Sequence, residues 1–325
     1  MYKKILILIA LISLDITCFS QSVDNMVGAG DLEDQIGFLS SEMCEGRGPG
    51  SKGASIAAFW VVDHFKRANL MPVSETYSKS FRFGDGKTGH NIMGMIPGSQ
   101  RVPRDTYIIV MAHYDHLGIL HDRIYPGADS NASGVASLVN IASMFNYMKS
   151  LGRTYSSNIL FVALDGKEAS MAGADALYSL IGSARLKDPI TKKLISINKI
   201  RMVIDIDQVG SSLAPLRSGR EDFLIMIGNE TMPKSKQVTA NFVNRNYGTN
   251  LELAFDYYGS ERFTEMFYKR VTDLRPFVQK GIPSILFTSG ITMKTNKPDD
   301  TVETLNLDVL TKRIIFMFHW IENML

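Results

Sequence analysis

The sequence predicts an α/β fold: a single domain with a largely parallel β-sheet covered by helices on both faces. Three observations carry this. Five short apolar runs rich in β-branched residues read as buried strands, stretches of helical period lie between them, and no linker, internal repeat or block of like charge divides the chain. Composition agrees, since 45% hydrophobic and 21% charged residues in 325 sit near the average for globular proteins. Lys plus Arg number 35 against 33 Asp plus Glu, so no positive field exists to hold nucleic acid or an anionic membrane, and any partner must be recognised locally.

Residues 1–20 are expected to be a signal peptide. Lys3 and Lys4 precede the apolar run Ile5–Leu14, and Ser20 offers a small residue for cleavage before Gln21. The run is too short to span a bilayer, and no later stretch is long enough, so no membrane span is expected and the mature domain, residues 21–325, is expected to be secreted or periplasmic. Removing two lysines and one aspartate lowers the formal charge from +2 to +1. Cys18 is a poorer candidate for lipid attachment, because Asp15 and Thr17 do not give the small, apolar context such a site needs. Cleavage leaves Cys44 alone, read as a quiet thiol with no disulfide partner. Length by itself also allows two domains; the unbroken alternation of elements favours one.

Strands are predicted at 107–112 (YIIVMA), 158–164 (NILFVAL), 202–206 (MVIDI), 223–227 (FLIMI) and 284–288 (SILFT). Helices are predicted at 54–68 after a Ser51 cap, 133–148, 172–181, 234–243 and 308–323. In open α/β sheets a ligand crevice lies beyond the carboxyl ends of the strands. Past the first strand come His113 and Asp115, past the second Asp165, Lys167 and Glu168, and past the third Asp207. A His, a Glu and an Asp brought together there suit zinc, which accepts imidazole nitrogen and carboxylate oxygen, and Asp115 could fix the His113 tautomer. The same residues also suit ordinary polar caps at strand ends, and His-x-Asp alone does not decide between the two.

The ordered motifs go further. HYDH at 113–116, PGADSNASGVASL at 126–138, FVALDGKEASMAGA at 161–174 and IDIDQVG at 204–210 resemble the successive motifs of the secreted zinc aminopeptidases, whose fold glutaminyl cyclases share. LSSEMCEGRGPGSKG, HNIMGMIPGS, GIPSILFTSG and KPDDTVETL agree, so the resemblance covers roughly residues 36–310. It implies a single α/β domain with a twisted, mainly parallel mixed β-sheet and helices on both faces, two zinc ions at the strand ends, a bridging Asp, and a Glu general base that activates metal-bound water against the amide next to a free N-terminus.

Carried over position by position, His113, Glu168 and Asp207 fall on retained metal-ligand positions, and Asp115 on the outer carboxylate that orients the His. Three positions are substituted: the bridging acid is Ser130, the general base is Lys167, and the last His ligand is Asn296. Four carboxylates around two divalent ions become two carboxylates and one ammonium, so zinc is expected to be absent or weakly bound. The Lys167 amine is expected to turn towards the vacated region and pair with Glu168 or Asp207, the alternative being that it reaches solvent unpaired. Asp273, in TDLRPF, matches an acid near the family's cleft and is expected to be only a loop cap. His116, His121 and His90 are weaker candidates for a substitute ligand.

The resulting expectation is a catalytically impaired or non-catalytic member of the metallopeptidase family that binds a peptide or an exported protein. The alternative is an active aminopeptidase with an altered or single-metal site.

Overall fold

The computed structural model describes residues 23–325 apart from 74, 85 and 100–104; the expected signal peptide and Cys18 lie outside these residues. The strands, in chain order, are β1 (Met71–Pro72), β2 (Ser78–Phe83), β3 (Lys87–Ile96), β4 (Tyr107–His113), β5 (Gly118–Leu120), β6 (Arg123–Tyr125), β7 (Asn158–Leu164), β8 (Ile200–Ile206), β9 (Phe223–Ile227), β10 (Glu252–Ala254) and β11 (Ser284–Thr288). Nine of them form one sheet in the order β1-β3-β7-β4-β8-β11-β9-β10, with β2 also on β3; β5 and β6 make a separate hairpin. The central strands β7, β4, β8 and β11 are mutually parallel, while β3 and β9 flank them antiparallel.

Period-two alternation sends successive side chains to opposite faces, and helices cover both faces, so every residue of β4 and β7 and the last five of β8 are buried. Ile108, Val110 and Ala112 face one core together with Ile159, Phe161 and Ala163, while Ile109 and Met111 face the other with Leu160 and Val162. Helices Ala29–Leu39, Lys52–Arg67, Ser133–Ser150 and Leu307–Met324 cover the first face. Ala172–Gly182 and Arg275–Gln279 cover the second. Ser51 caps the helix at 52 as expected, accepting from Ala54 N at 3.1 Å, and Asn306 does the same for Val309 N (3.1 Å) at the last helix.

The predicted helix 234–243 is instead two pieces, Lys234–Gln237 and Thr239–Asn246, joined at Val238. Edge strands β2 and β10 escaped prediction because they are half-exposed or three residues long and carry no apolar run.

The chain leaves β4 through the helix Ser133–Ser150 over one face to β7, then crosses by Ala172–Gly182 over the other face to β8, on the far side of β4. That reversal opens the sheet at the carboxyl ends of β4, β7 and β8. Two buried arginines hold the loops around this opening. Arg47 donates to the carbonyls of Tyr114 (2.7 Å), Pro126 (2.7 Å) and Gly127 (2.8 Å) as well as Leu39, and Arg313 to those of Phe223 (2.7 Å), Val209 (2.8 Å) and Ser211 (2.9 Å). Cys44 is a buried free thiol whose pKa burial pushes up.

Candidate functional site

His113 ends β4, Lys167 and Glu168 follow β7, and Asp205 and Asp207 lie at the end of β8. A left-handed Gly166 (φ 77°) turns the chain after β7. The Asp115 carboxylate then accepts the backbone N–H of Lys167 (3.0 Å) and of Glu168 (3.0 Å) on its two oxygens, which locks the β7 loop to the β4 loop. Asp115 holds His113 through its backbone carbonyl, 3.0 Å from Nδ1, and not through its carboxylate, whose nearer oxygen is 3.9 Å away; the expected carboxylate contact is corrected accordingly.

The Lys167 ammonium points into the opening. It donates to the Val271 carbonyl at 2.9 Å and lies 3.4 Å from Asp207 Oδ2 and 3.4 Å from Asp273 Oδ2. Of the two partners expected for it, Asp207 is met and Glu168 is not, because the Glu168 side chain is exposed. Asp273 is more than a loop cap: it is buried and faces the amine from the segment after helix Glu261–Arg270. Only the fold brings it there; the match to a family acid was its one sequence signal. Asp205, two residues before Asp207 on the same strand face, joins the site without a sequence signal of its own. Both its oxygens lack a hydrogen-bond partner among the described residues.

His113 Nε2 is 3.2 Å from Asp207 Oδ1. A carbonyl on one ring nitrogen and a carboxylate on the other are both acceptors only, so both nitrogens must carry protons. Burial lowers the His113 pKa, but the Asp207 carboxylate more than reverses this and lifts it to about 9. Burial alone would raise Asp207, yet Lys167 and His113 hold it far below the usual carboxylate range, and burial with the nearby Asp273 drives Asp205 well up. The Lys167 amine is pushed up by Asp273, Asp207 and Asp205 against the opposing effect of burial. Two cations thus face Asp207, and Lys167 also faces Asp273.

The substituted positions do not rebuild a metal shell. Ser130 is buried and gives its backbone N–H to Asp300 Oδ2 (3.1 Å), and Asn296 is exposed on a loop. Asn131, beside Ser130, is fully buried and braces this turn, bonding the Ile206 carbonyl (2.8 Å) and the N–H groups of Gly134 (3.1 Å) and Gln208 (2.9 Å). Of the candidate substitute histidines, His121 sits on the β5–β6 turn, His90 bonds Ser78 Oγ at 3.1 Å, and His116 is buried, its pKa pushed well down by desolvation and Arg47. Among the described residues no three His, Cys, Asp or Glu side chains come together as a metal site. The Lys167 ammonium within reach of Asp207 opposes a second cation there. The residues present therefore do not fit the zinc centre that the fold implies.

Comparison with known proteins places the architecture. LapB from Legionella pneumophila superposes with a TM-score of 0.69 at 15% identity, over 93% of this chain and 73% of that one. A zinc aminopeptidase from Bacillus subtilis does so with a TM-score of 0.65 at 12% identity, over 91% and 94%. Among curated proteins, the BOS complex subunit ncln of Danio rerio is 34% identical over 124 residues, 38% of this chain and 21% of that protein, so the chain spans about a fifth of that relative's length. No described helix is long and apolar enough to cross a membrane. The profile of peptidase family M28 matches residues 91–320, from β3 to the last helix, and the chain belongs to that family.

Proposed function

We propose that this chain is an exported M28-family protein whose crevice binds a peptide or another exported protein and does not hydrolyse it by the two-zinc route. The observation that carries the reading is the Lys167 ammonium at the general-base position, held between Asp207, Asp273 and the Val271 carbonyl. A base must accept a proton from water, and an amine kept charged by two carboxylates has none of that capacity near neutral pH. Ser130 and Asn296 supply neither the bridging carboxylate nor the imidazole of an active relative, so loss of hydrolysis and loss of metal have one origin.

The test is metal analysis of protein refolded with zinc, followed by assay on a panel of aminoacyl anilides. The reading expects sub-stoichiometric zinc and no chelator-sensitive turnover. Near-stoichiometric zinc with turnover abolished by chelator would establish the active single-metal aminopeptidase instead.

A further inference from the structure

The outer edge of β2 carries a surface that the crevice does not use. Among the described residues β2 pairs with β3 alone, Ser80 opposite His90 and Phe81 opposite Gly89. The His90 N–H goes to Asp165 Oδ2 (3.1 Å) and its carbonyl accepts the Tyr114 hydroxyl (2.7 Å), both away from β2. Bonded and non-bonded pairs alternate along an antiparallel ladder, so Ser80 is not bonded to His90. The N–H and C=O groups of Ser80 and, two residues on, Arg82 therefore point outward along an open edge, and both residues are exposed.

Two adjoining cavities of about 590 Å³ and 270 Å³ lie beside this edge and share Lys79 and Arg185. The larger also holds Lys187 and Lys192. Arg185 reaches Ser183 Oγ (2.9 Å) and Lys192 the Pro189 carbonyl (2.7 Å), and no carboxylate pairs with any of the four cations among the described residues. Of the two acids on the walls, Asp188 is already taken by the Tyr107 hydroxyl (2.7 Å) and the N–H groups of Ile190 (2.9 Å) and Thr191 (2.7 Å). Those donors are neutral and leave Asp188 its charge, so Glu75 and Asp188 together oppose the four cations and the lining keeps a net charge of +2. The groove is thus net positive on a chain that is nearly neutral overall.

We propose that the open edge of β2 takes up an extended acidic peptide segment of a partner protein as an added strand, its carboxylates meeting Lys79, Arg185, Lys187 and Lys192. Main-chain bonds to Ser80 and Arg82 would give the segment its register, and side chains at alternate positions would face the cations. Acids two residues apart are the pattern this edge reads, and salt weakens the complex. The inference is independent of what happens in the crevice.

The test is fluorescence polarisation of the full chain with a short labelled peptide that alternates Glu with Val and Thr. Controls are the same peptide with Gln for Glu, and a version N-methylated on its bonding edge. Binding at low salt is expected, about tenfold weaker for the Gln peptide, the N-methylated peptide and the Lys79→Glu/Arg185→Glu variant. N-methylation tests the backbone contact without altering the protein. Equal binding of the N-methylated and parent peptides, with a heparin fragment competing for the groove, would overturn the proposal in favour of a polyanion site. Equal binding of the Glu and Gln peptides would overturn it as well.

Discussion

Lys167 Nζ lies 3.4 Å from Asp207 Oδ2, while His113 Nε2 lies 3.2 Å from the other oxygen of the same carboxylate. Asp207 is thereby held by a cation on each side, and the ends of β4, β7 and β8 are joined through one side chain. Lys167 also reaches Val271 and Asp273, so the segment after helix Glu261–Arg270 is tied down over the opening.

Lys167→Met removes the ammonium and leaves two buried carboxylates short of a partner. A loss of about 3–5 kcal/mol is expected from urea unfolding. Adding Asp273→Asn should recover part of it, and additive losses in the double variant would mean that the two side chains do not interact.

Ser130→Asp, Lys167→Glu and Asn296→His made together return the bridging acid, the base and the imidazole. The folded triple variant is expected to take up zinc in equilibrium dialysis where the parent does not. A folded triple variant that stays metal-free would show that these positions do not correspond to the family's ligands.

Arg47→Met leaves three buried carbonyls and one part-buried carbonyl around the site loops without their donor. At about 1 kcal/mol or more for each stranded group, a loss of at least about 3 kcal/mol is expected. Arg47→Lys should recover less than half of it, since a compact ammonium cannot fork to four separate acceptors. Thermal unfolding of the two variants checks both statements.

His319 Nε2 lies 2.7 Å from Asp24 Oδ1, anchoring the last helix to the start of the described chain. Burial lowers the His319 pKa, but Asp24 and Glu322 outweigh it and raise the group above its ordinary value. A raised folded value means that the contribution to stability is complete below about pH 6.5 and fades as pH climbs through the folded value. Asp24→Asn should therefore cost most stability near about pH 6 and progressively less towards about pH 9. A difference that grows with pH in urea titrations would contradict the assignment.

The central sheet was legible because its strands are apolar on both faces, and a strand buried on both faces leaves an uninterrupted run such as YIIVMA. β2 was not legible, because SKSFRF alternates as an exposed edge does. His113, Lys167 and Asp207 could be placed at one opening because connectivity alone puts the carboxyl ends of neighbouring parallel strands together.

The sequence by itself determined the α/β architecture and the family motifs, and it marked Ser130, Lys167 and Asn296 as the positions where the resemblance expects an acid, a base and an imidazole. Only the tertiary structure decided which carboxylates the Lys167 amine meets, that Glu168 turns outward, and that Asp115 serves the β7 loop. Periodicity reports which face of an element is buried. The pairing of charges across separate loops depends on distances of a few ångströms that no local pattern encodes, and Asp273 reaches Lys167 because a distant loop folds back over the strand ends.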